Sequence, residues 1–450
     1  MNLVSKYNVA APRYTSYPTV PYWENKLSEQ KWKQLVSESF IKYNQEHGMS
    51  IYIHLPYCES LCTYCACNTR ITVNHGVEIP YINALLEEWK MYLKLFNTKP
   101  RIKELHLGGG TPTFFSPKNL YTLIKTIIDS SIVEEKADFS FEGHPNNTST
   151  EHLETLFALG FKRVSFGIQD FDGKVQEVIN RVQPYQEVER VILEARRIGY
   201  ESVNVDLVYG LPFQTSQTVA ETIEAVIQLK PDRIAFYSYA HVPWLKPGQR
   251  KFTEKDLPLD KEKRALYEIG LSLFTQAGYI DVGMDHFAFE SDALVKSANN
   301  GNLHRNFMGY TSNYTKLMIG LGASAISDAG TAFAQNHKTV EEYLSAVRQQ
   351  QFAINKGHVL SKEDMLIRRI ILDIMCKYKT NWCDSLSDIP AFKLALERCD
   401  TLQKDGLLNL NKLGLEVTKT GKAFLRNICL CFDSRYWKKT PEKEVFSSVA

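Results

Sequence analysis

The sequence lacks several things, and each absence removes a class of protein. No uninterrupted apolar run approaches the length of a membrane span. The opening "MNLVSKYNVAAPRYTSYPTVPYW" has early prolines and no apolar core of signal-peptide length, so a cytoplasmic protein with no membrane partner is expected. Charge of one sign is also missing. The 53 Lys and Arg nearly cancel 51 Asp and Glu, and a net +2 gives no general attraction to nucleic acid or lipid. No internal repeat or low-complexity segment is visible. Cysteine is sparse, nine in 450 residues, and in a reduced compartment clustered cysteines point to metal before disulfide. Five of them (Cys376, Cys383, Cys399, Cys429, Cys431) are scattered downstream and read as buried small apolar residues.

What is present is an ordinary globular composition, 44% hydrophobic and 23% charged, in a chain too long for one compact core. Six short strand-like runs alternate with helical patterns. The runs are "MSIYIHLP" (49–56), "IKELHLGG" (102–109), "ADFSFEG" (137–143), "RVSFGIQD" (163–170), "SVNVDLVYG" (202–210) and "RIAFYSYAHV" (233–242). The clearest helix is "IPYINALLEEWKMYLKLF", in which Ile82, Leu85, Leu86, Trp89, Leu93 and Phe96 recur at three- and four-residue steps. Others run near 117–129, 151–159, 185–199 and 216–229. Six strands with intervening helices predict a parallel sheet with right-handed crossovers, and function then belongs at the carboxyl ends of the strands. The chemically interesting residues stand there: a Cys cluster after the first run, "GGGTPT" after the second, "EGHP", "GIQDF", "DLVYGLP" and "YAHVP" at the rest.

From 243 the chain turns polar, then carries helix-like segments and the small-residue turn "GLGASAIS" (320–327). A new unit is expected near 355, where Ser361 and Asp364 have capping-box spacing ahead of an apolar helix. Residues 402–432 read as helix, hairpin, helix. The expected division is an N-terminal segment and helix (1–48), a catalytic domain (49–354) and a mostly helical C-terminal domain (355–450).

"CESLCTYCACN" places Cys58, Cys62, Cys65 and Cys67 at spacing C-x3-C-x2-C-x-C. Thiolate sulfur suits zinc or an iron–sulfur cluster. Structural zinc normally uses two separated pairs, whereas one pair here has a single intervening residue, which makes a cramped tetrahedron. Three thiolates at x3 and x2 can instead cap three irons of a cubane and leave the fourth open.

C-x3-C-x2-C after the first strand of six βα units resembles the radical S-adenosylmethionine (SAM) superfamily, and Tyr64 between the second and third ligands fits it. Within it the chain resembles the oxygen-independent coproporphyrinogen III oxidases nearly end to end. The matching stretches include "PRYTSYPT" (12–19), "IYIHLPYCESLCTYCACN" (51–68), "HLGGGTPT" (106–113), "GIQDF" (167–171), "DLVYGLP" (206–212), "YAHVP" (239–243), "GMDHFA" (283–288), "HRNFMGYT" (304–311) and "RNICLCFD" (426–433). The resemblance implies a partial (β/α)6 barrel of the α/β class and a SAM-derived radical that turns two propionates of coproporphyrinogen III into vinyl groups in haem biosynthesis. It implies that Cys58, Cys62 and Cys65 hold a 4Fe–4S cluster while Cys67 does not. Tyr52, Gly109, Glu142 and Ile326 correspond to contacts of the cluster-bound SAM. Tyr64, Gly110, Thr111, Gln169, Arg181, Asp206 and Ala240 correspond to contacts of a second SAM.

Arg13, Tyr14 and Arg305 are candidate substrate contacts, the two arginines as partners of propionates. A reductant such as flavodoxin or ferredoxin, an unspecified electron acceptor, no nucleic acid and a monomeric state complete the expectation. Gly143, His144, Met308 and Ala66 depart from the family pattern without touching a cluster ligand. Two other readings remain open. A related haem chaperone shares three cysteines, but Cys67 and "RYTSYPT" speak against it. A C-terminal nucleic-acid binder would use Lys404, Lys412, Lys419, Lys422 and Arg426, which are expected instead to form a solvated face.

Overall fold

The computed structural model describes residues 3–24, 27–383, 386 and 389–438. Its centre is a twelve-stranded sheet. The strands are β1 (Met49–Leu55), β2 (Arg101–Gly109), β3 (Ile132–Gly143), β4 (Phe161–Gln169), β5 (Ser202–Tyr209), β6 (Arg233–Ser238), β7 (Ile280–Gly283), β8 (His286–Ala288), β9 (Met318–Leu321), β10 (Ile326–Asp328), β11 (Ala332–Asn336) and β12 (Ile354–Val359). Their order is β12-β11-β10-β9-β1-β2-β3-β4-β5-β6-β8-β7. The six expected strands are adjacent and parallel, in chain order. Two features lie beyond the expectation. β9 joins β1 as a further parallel strand, and antiparallel strands extend both edges.

The helices form where sequence periodicity and capping agree. The helices α1 (Glu29–His47), α2 (Glu78–Leu93), α3 (Pro117–Asp129), α4 (Thr150–Ala158), α5 (Tyr185–Ile198), α6 (Ser216–Leu229) and α7 (Asp260–Gln276) accompany the sheet. In α3, Ser116 caps the amino end, Pro117 opens the first turn, and Leu120, Leu123, Ile124 and Ile127 make the buried stripe. In α5 the stripe is Val188, Val191, Ile192 and Ala195, and the helix stops at Gly199, whose φ of +113° suits glycine. The strands β1, β2, β4 and β5 bury residues on both faces, as a sheet between layers requires. The expected sixth strand is shorter than predicted and stops at Ser238, so Ala240 lies in the loop beyond it.

Two large apolar cores result, beside two small clusters around Tyr239 and Trp23. One holds the sheet and α1–α7. The other mixes three distant stretches: Tyr7, Tyr14 and Tyr17; Val282 to Tyr310; and the C-terminal helices α8 (Lys362–Lys377), α9 (Pro390–Lys404) and α10 (Leu425–Phe432). The capping box of Ser361 and Asp364 is formed. Between α9 and α10 the hairpin Leu408–Asn411 and Gly414–Val417 pairs also with Lys379–Asn381. β12 pairs with β11, so the main sheet runs across the boundary expected at 355. Among the downstream cysteines Cys383 is exposed, against expectation, while Cys376, Cys399, Cys429 and Cys431 are buried. Arg426 is buried too and is not part of a solvated face; its guanidinium donates to the carbonyls of Ala11 and Pro12. No helix among the described residues is long and apolar enough to cross a membrane.

Candidate active site

β1 delivers the chain into the cysteine loop, which a short parallel bridge closes: Tyr57 pairs with Arg70 and Cys58 with Ile71. Side chains from elsewhere then hold loop carbonyls. Asn180 Nδ2 donates to Leu61 O (2.8 Å), Lys246 Nζ to Cys67 O (3.1 Å), and His54 Nε2 meets Asn68 O (2.8 Å). Thr63 N–H also donates to Ile179 O (2.9 Å). The loop is thus fixed along its length by bonds a free surface loop would lack.

All four loop cysteines line one cavity of about 610 Å³ at the carboxyl ends of the strands. None is in a disulfide. Thr111 Oγ1 donates to Cys58 Sγ at 3.3 Å and Arg181 Nη1 to Cys62 Sγ at 3.5 Å. Burial pushes the Cys58 thiol up to about 11, against the Thr111 bond. Cys65 lies below the ordinary thiol value, chiefly because Cys67 donates to it and secondarily because Lys246 and Arg181 are near; the same bond pushes Cys67 up. Among the described residues no three His, Cys, Asp or Glu side chains converge on a single metal-ion position. Thiols that share one cavity wall with the guanidinium of Arg181 suit an anionic, thiolate-held cluster.

Opposite the loop, the end of β2 forms a backbone cradle. Gly109 has φ +111°, and a Cβ there would stand 2.5 Å from the His54 ring; at Gly110 it would stand 2.6 Å from the Pro56 backbone. Glu142 Oε2 accepts from Gly109 N–H at 3.3 Å, and Oε1 lies 3.5 Å from His106 Nε2. Burial raises the Glu142 carboxyl, but His106 and the Gly109 amide more than offset this and keep it below its ordinary value. Asp206 accepts from Ser165 Oγ at 3.3 Å, and burial with the Glu142 charge pushes it up to about 7. It sits within β5, as the run 202–210 predicts. Arg181 Nη2 donates to Gly167 O at 2.6 Å, and its buried Nε has no partner among the described residues.

Of the residues expected to meet cofactor, Tyr64, Gly109, Gly110, Thr111, Glu142, Gln169, Arg181 and Asp206 line the cavity. Tyr52, Ala240 and Ile326 stand outside the lining. Tyr52 is hydrogen-bonded to His54 (3.1 Å) and stacked near His106; it is in register with Gly320 of β9, which lies against the Ile326 backbone of β10. The substrate candidates do not reach the lining either. The hydroxyl of Tyr14 donates to Asp433 (3.2 Å) in the second core. Arg13 donates to Ser238 O (2.9 Å), lies 3.6 Å from Asp285, and backs the cavity-lining Tyr237. Arg305 is buried under Tyr310, another lining residue, and its Nε and Nη1 have no partner among the described residues.

His106, Tyr237, His286 and Lys246 were not singled out from the sequence. His106 shares a strand face with Gly108, a signal the alternation of β2 carried. Burial first and then Arg305 push the His286 ring down to about 4, which leaves it neutral near pH 7. The departure His144 lines the cavity as a neutral ring, pushed down to about 3 by burial and Arg181, and Met308 lines it as well. Lys246 sits in an irregular loop that gave no periodic signal.

Fold and cysteine loop together define a class: residues 52–226 match the model of the radical SAM superfamily. The chain is 36% identical to the oxygen-independent coproporphyrinogen III oxidases of Synechocystis and Escherichia coli, in each case over 99% of this chain and 97% of the relative. It is 37% identical to that of Helicobacter pylori over 96% and 95%. A solved structure of coproporphyrinogen III oxidase from Escherichia coli, described as a radical SAM enzyme, superimposes with a TM-score of 0.88 at 35% identity, over 94% of this chain and 97% of that one. The chain belongs to the oxygen-independent coproporphyrinogen III oxidase family.

Proposed function

We infer that this chain oxidises coproporphyrinogen III without oxygen, converting two propionates to vinyl groups in haem biosynthesis. The observation that carries the reading is the cavity in which three suitably spaced cysteines face a glycine cradle, in a chain related along its whole length to such oxidases. A 4Fe–4S cluster with bound SAM supplies, once reduced, a radical able to take a hydrogen atom from a propionate side chain.

The chain's own residues do the rest. Cys58, Cys62 and Cys65 hold the cluster, and the Thr111 and Arg181 hydrogen bonds offset charge on two of the sulfurs. Gly109 and Gly110 allow backbone amides to approach a cofactor that a Cβ would hold away, and Glu142 offers its carboxylate to a cationic group. Tyr52 and Ile326 complete that SAM site. Tyr64, Thr111, Gln169, Arg181, Asp206 and Ala240, with Gly110, form the site of a second SAM. The unpartnered donors of Arg305 favour a role in holding a propionate, with Arg13 behind Tyr237 as support. The cluster held there would take its electron from a carrier such as flavodoxin or ferredoxin, with the chain acting as a cytoplasmic monomer.

The test is anaerobic. The reconstituted protein is given SAM, reductant and coproporphyrinogen III, and 5′-deoxyadenosine and the mono- and di-vinyl porphyrinogens are followed by mass. Deoxyadenosine without decarboxylation would overturn the substrate and leave the radical class standing.

A further inference from the structure

The loop that carries the cysteines has two sides. Its inner side lines the cavity; its outer side is backed by residues 244–251, none of which lines that cavity. The backing is close. Lys246 Nζ reaches Cys67 O at 3.1 Å, Gln249 Nε2 reaches Tyr64 O at 3.4 Å, and a Cβ on Gly248 would stand 3.3 Å from Leu61 Cδ2. Gln249 is fully buried and also bonds Val242 N and Ala240 O, so the segment is built into the fold and does not drift over it.

Two properties of this segment are unusual for a surface turn. Trp244 and Leu245 are 46% and 54% exposed, adjoining large apolar side chains where scattered single ones are the norm. Residues 241–253, "HVPWLKPGQRKFT", carry Lys246, Arg250 and Lys251 and no acid, in a chain whose charges otherwise nearly cancel. Tryptophan and arginine together are the side chains enriched at protein contacts. The reaction inferred above needs an electron from outside, and tunnelling falls steeply with distance. The carrier must therefore approach the cysteine loop from a side that leaves the substrate cavity open.

Resting on that reading, we propose that the exposed face of residues 244–251 is the docking site of an acidic one-electron carrier protein, with Arg250 and Lys251 supplying the complementary charge. Rim charges of this kind act on association rate and its salt dependence.

The test uses the full-length protein with its cluster loaded, and reduced flavodoxin as the probe. Reduction is followed by rapid mixing at low and high salt, for wild type, the Arg250→Glu/Lys251→Glu double variant and Lys251→Glu alone. The double variant is expected to slow reduction by flavodoxin about tenfold or more at low salt, with a smaller loss for the single variant and a converging difference at high salt. Reduction by dithionite and iron content are expected to stay unchanged, which separates docking from damage to the fold. Equal flavodoxin rates in wild type and variants would overturn the docking site while dithionite-driven turnover kept the functional reading intact. Failure of dithionite to drive SAM cleavage in wild type would instead sink the functional reading, and this proposal with it.

Discussion

Single atoms decide whether the cavity can accept its cofactors. At Gly109 the backbone is left-handed and the space where a Cβ would go is occupied by a ring that Tyr52 and Asn68 hold in place. Gly109→Ala therefore meets strain and a clash together. It is expected to lower stability by about 1–3 kcal/mol, read by denaturant unfolding, and to abolish deoxyadenosine formation. A variant that cleaves SAM at the wild-type rate would mean the cradle has another purpose. The cysteines allow a sharper division. Cys58→Ser, Cys62→Ser and Cys65→Ser are each expected to lose the cluster's visible absorption after reconstitution, whereas Cys67→Ser keeps both iron and turnover. Loss of iron in the Cys67 variant would return the loop to a four-thiolate site.

At the scale of elements, α2 shows how a buried carboxyl ties the barrel together. Glu88 accepts from Gly322 N–H (2.9 Å), Tyr343 Oη (2.7 Å) and Asn336 Nδ2 (2.7 Å), and so fixes the turn between β9 and β10 against the helix. Burial, only partly opposed by these bonds, raises its pKa to about 7. The folded state thus holds the proton more tightly than the unfolded chain. The stabilising contribution is complete below about 4.5 and is lost as pH rises through about 7. The stability gap between wild type and Glu88→Gln is expected to shift against wild type by roughly 1–3 kcal/mol from pH 5 to pH 8, measured by denaturant titration at both pH values. A gap independent of pH would mean that Glu88 titrates normally. Elements of this kind differed in how legible they were. β1 to β6 and their helices could be read because alternation and 3.6-residue stripes are local signals. The strands β9 to β12 are three to six residues long and gain their identity from pairing, β9 with a strand nearly 270 residues earlier, which no local pattern encodes. The site divides the same way. Cysteine spacing and glycine runs were visible, but the partners of Arg13 and Tyr14 lie hundreds of residues away, and only the fold shows that Asp433 takes the Tyr14 hydroxyl.

Over the whole molecule, the chain's first residues belong to its last unit. Tyr7, Tyr14 and Tyr17 are buried in the core built by α8, α9 and α10; Asn427 Nδ2 donates to Tyr7 O (2.9 Å), and Arg426 holds Ala11 and Pro12. The same segment, through Arg13, reaches Ser238 at the end of β6 and Asp285 beside the cavity wall. It therefore works as a strap between the C-terminal unit and the barrel, and the two should lose structure together. Hydrogen exchange is expected to give the amides of residues 7–17 opening free energies within about 1 kcal/mol of those in α8 and α10. Arg426→Met leaves two carbonyls short of their donors, at a cost of about 1–3 kcal/mol each if no water replaces it. That variant should lower protection in the strap and in α10 together while leaving β1 to β5 unchanged. Strap amides that exchange like free chain in the wild type, with the C-terminal helices still protected, would show that the segment merely lies on the surface and that the cavity wall owes it nothing.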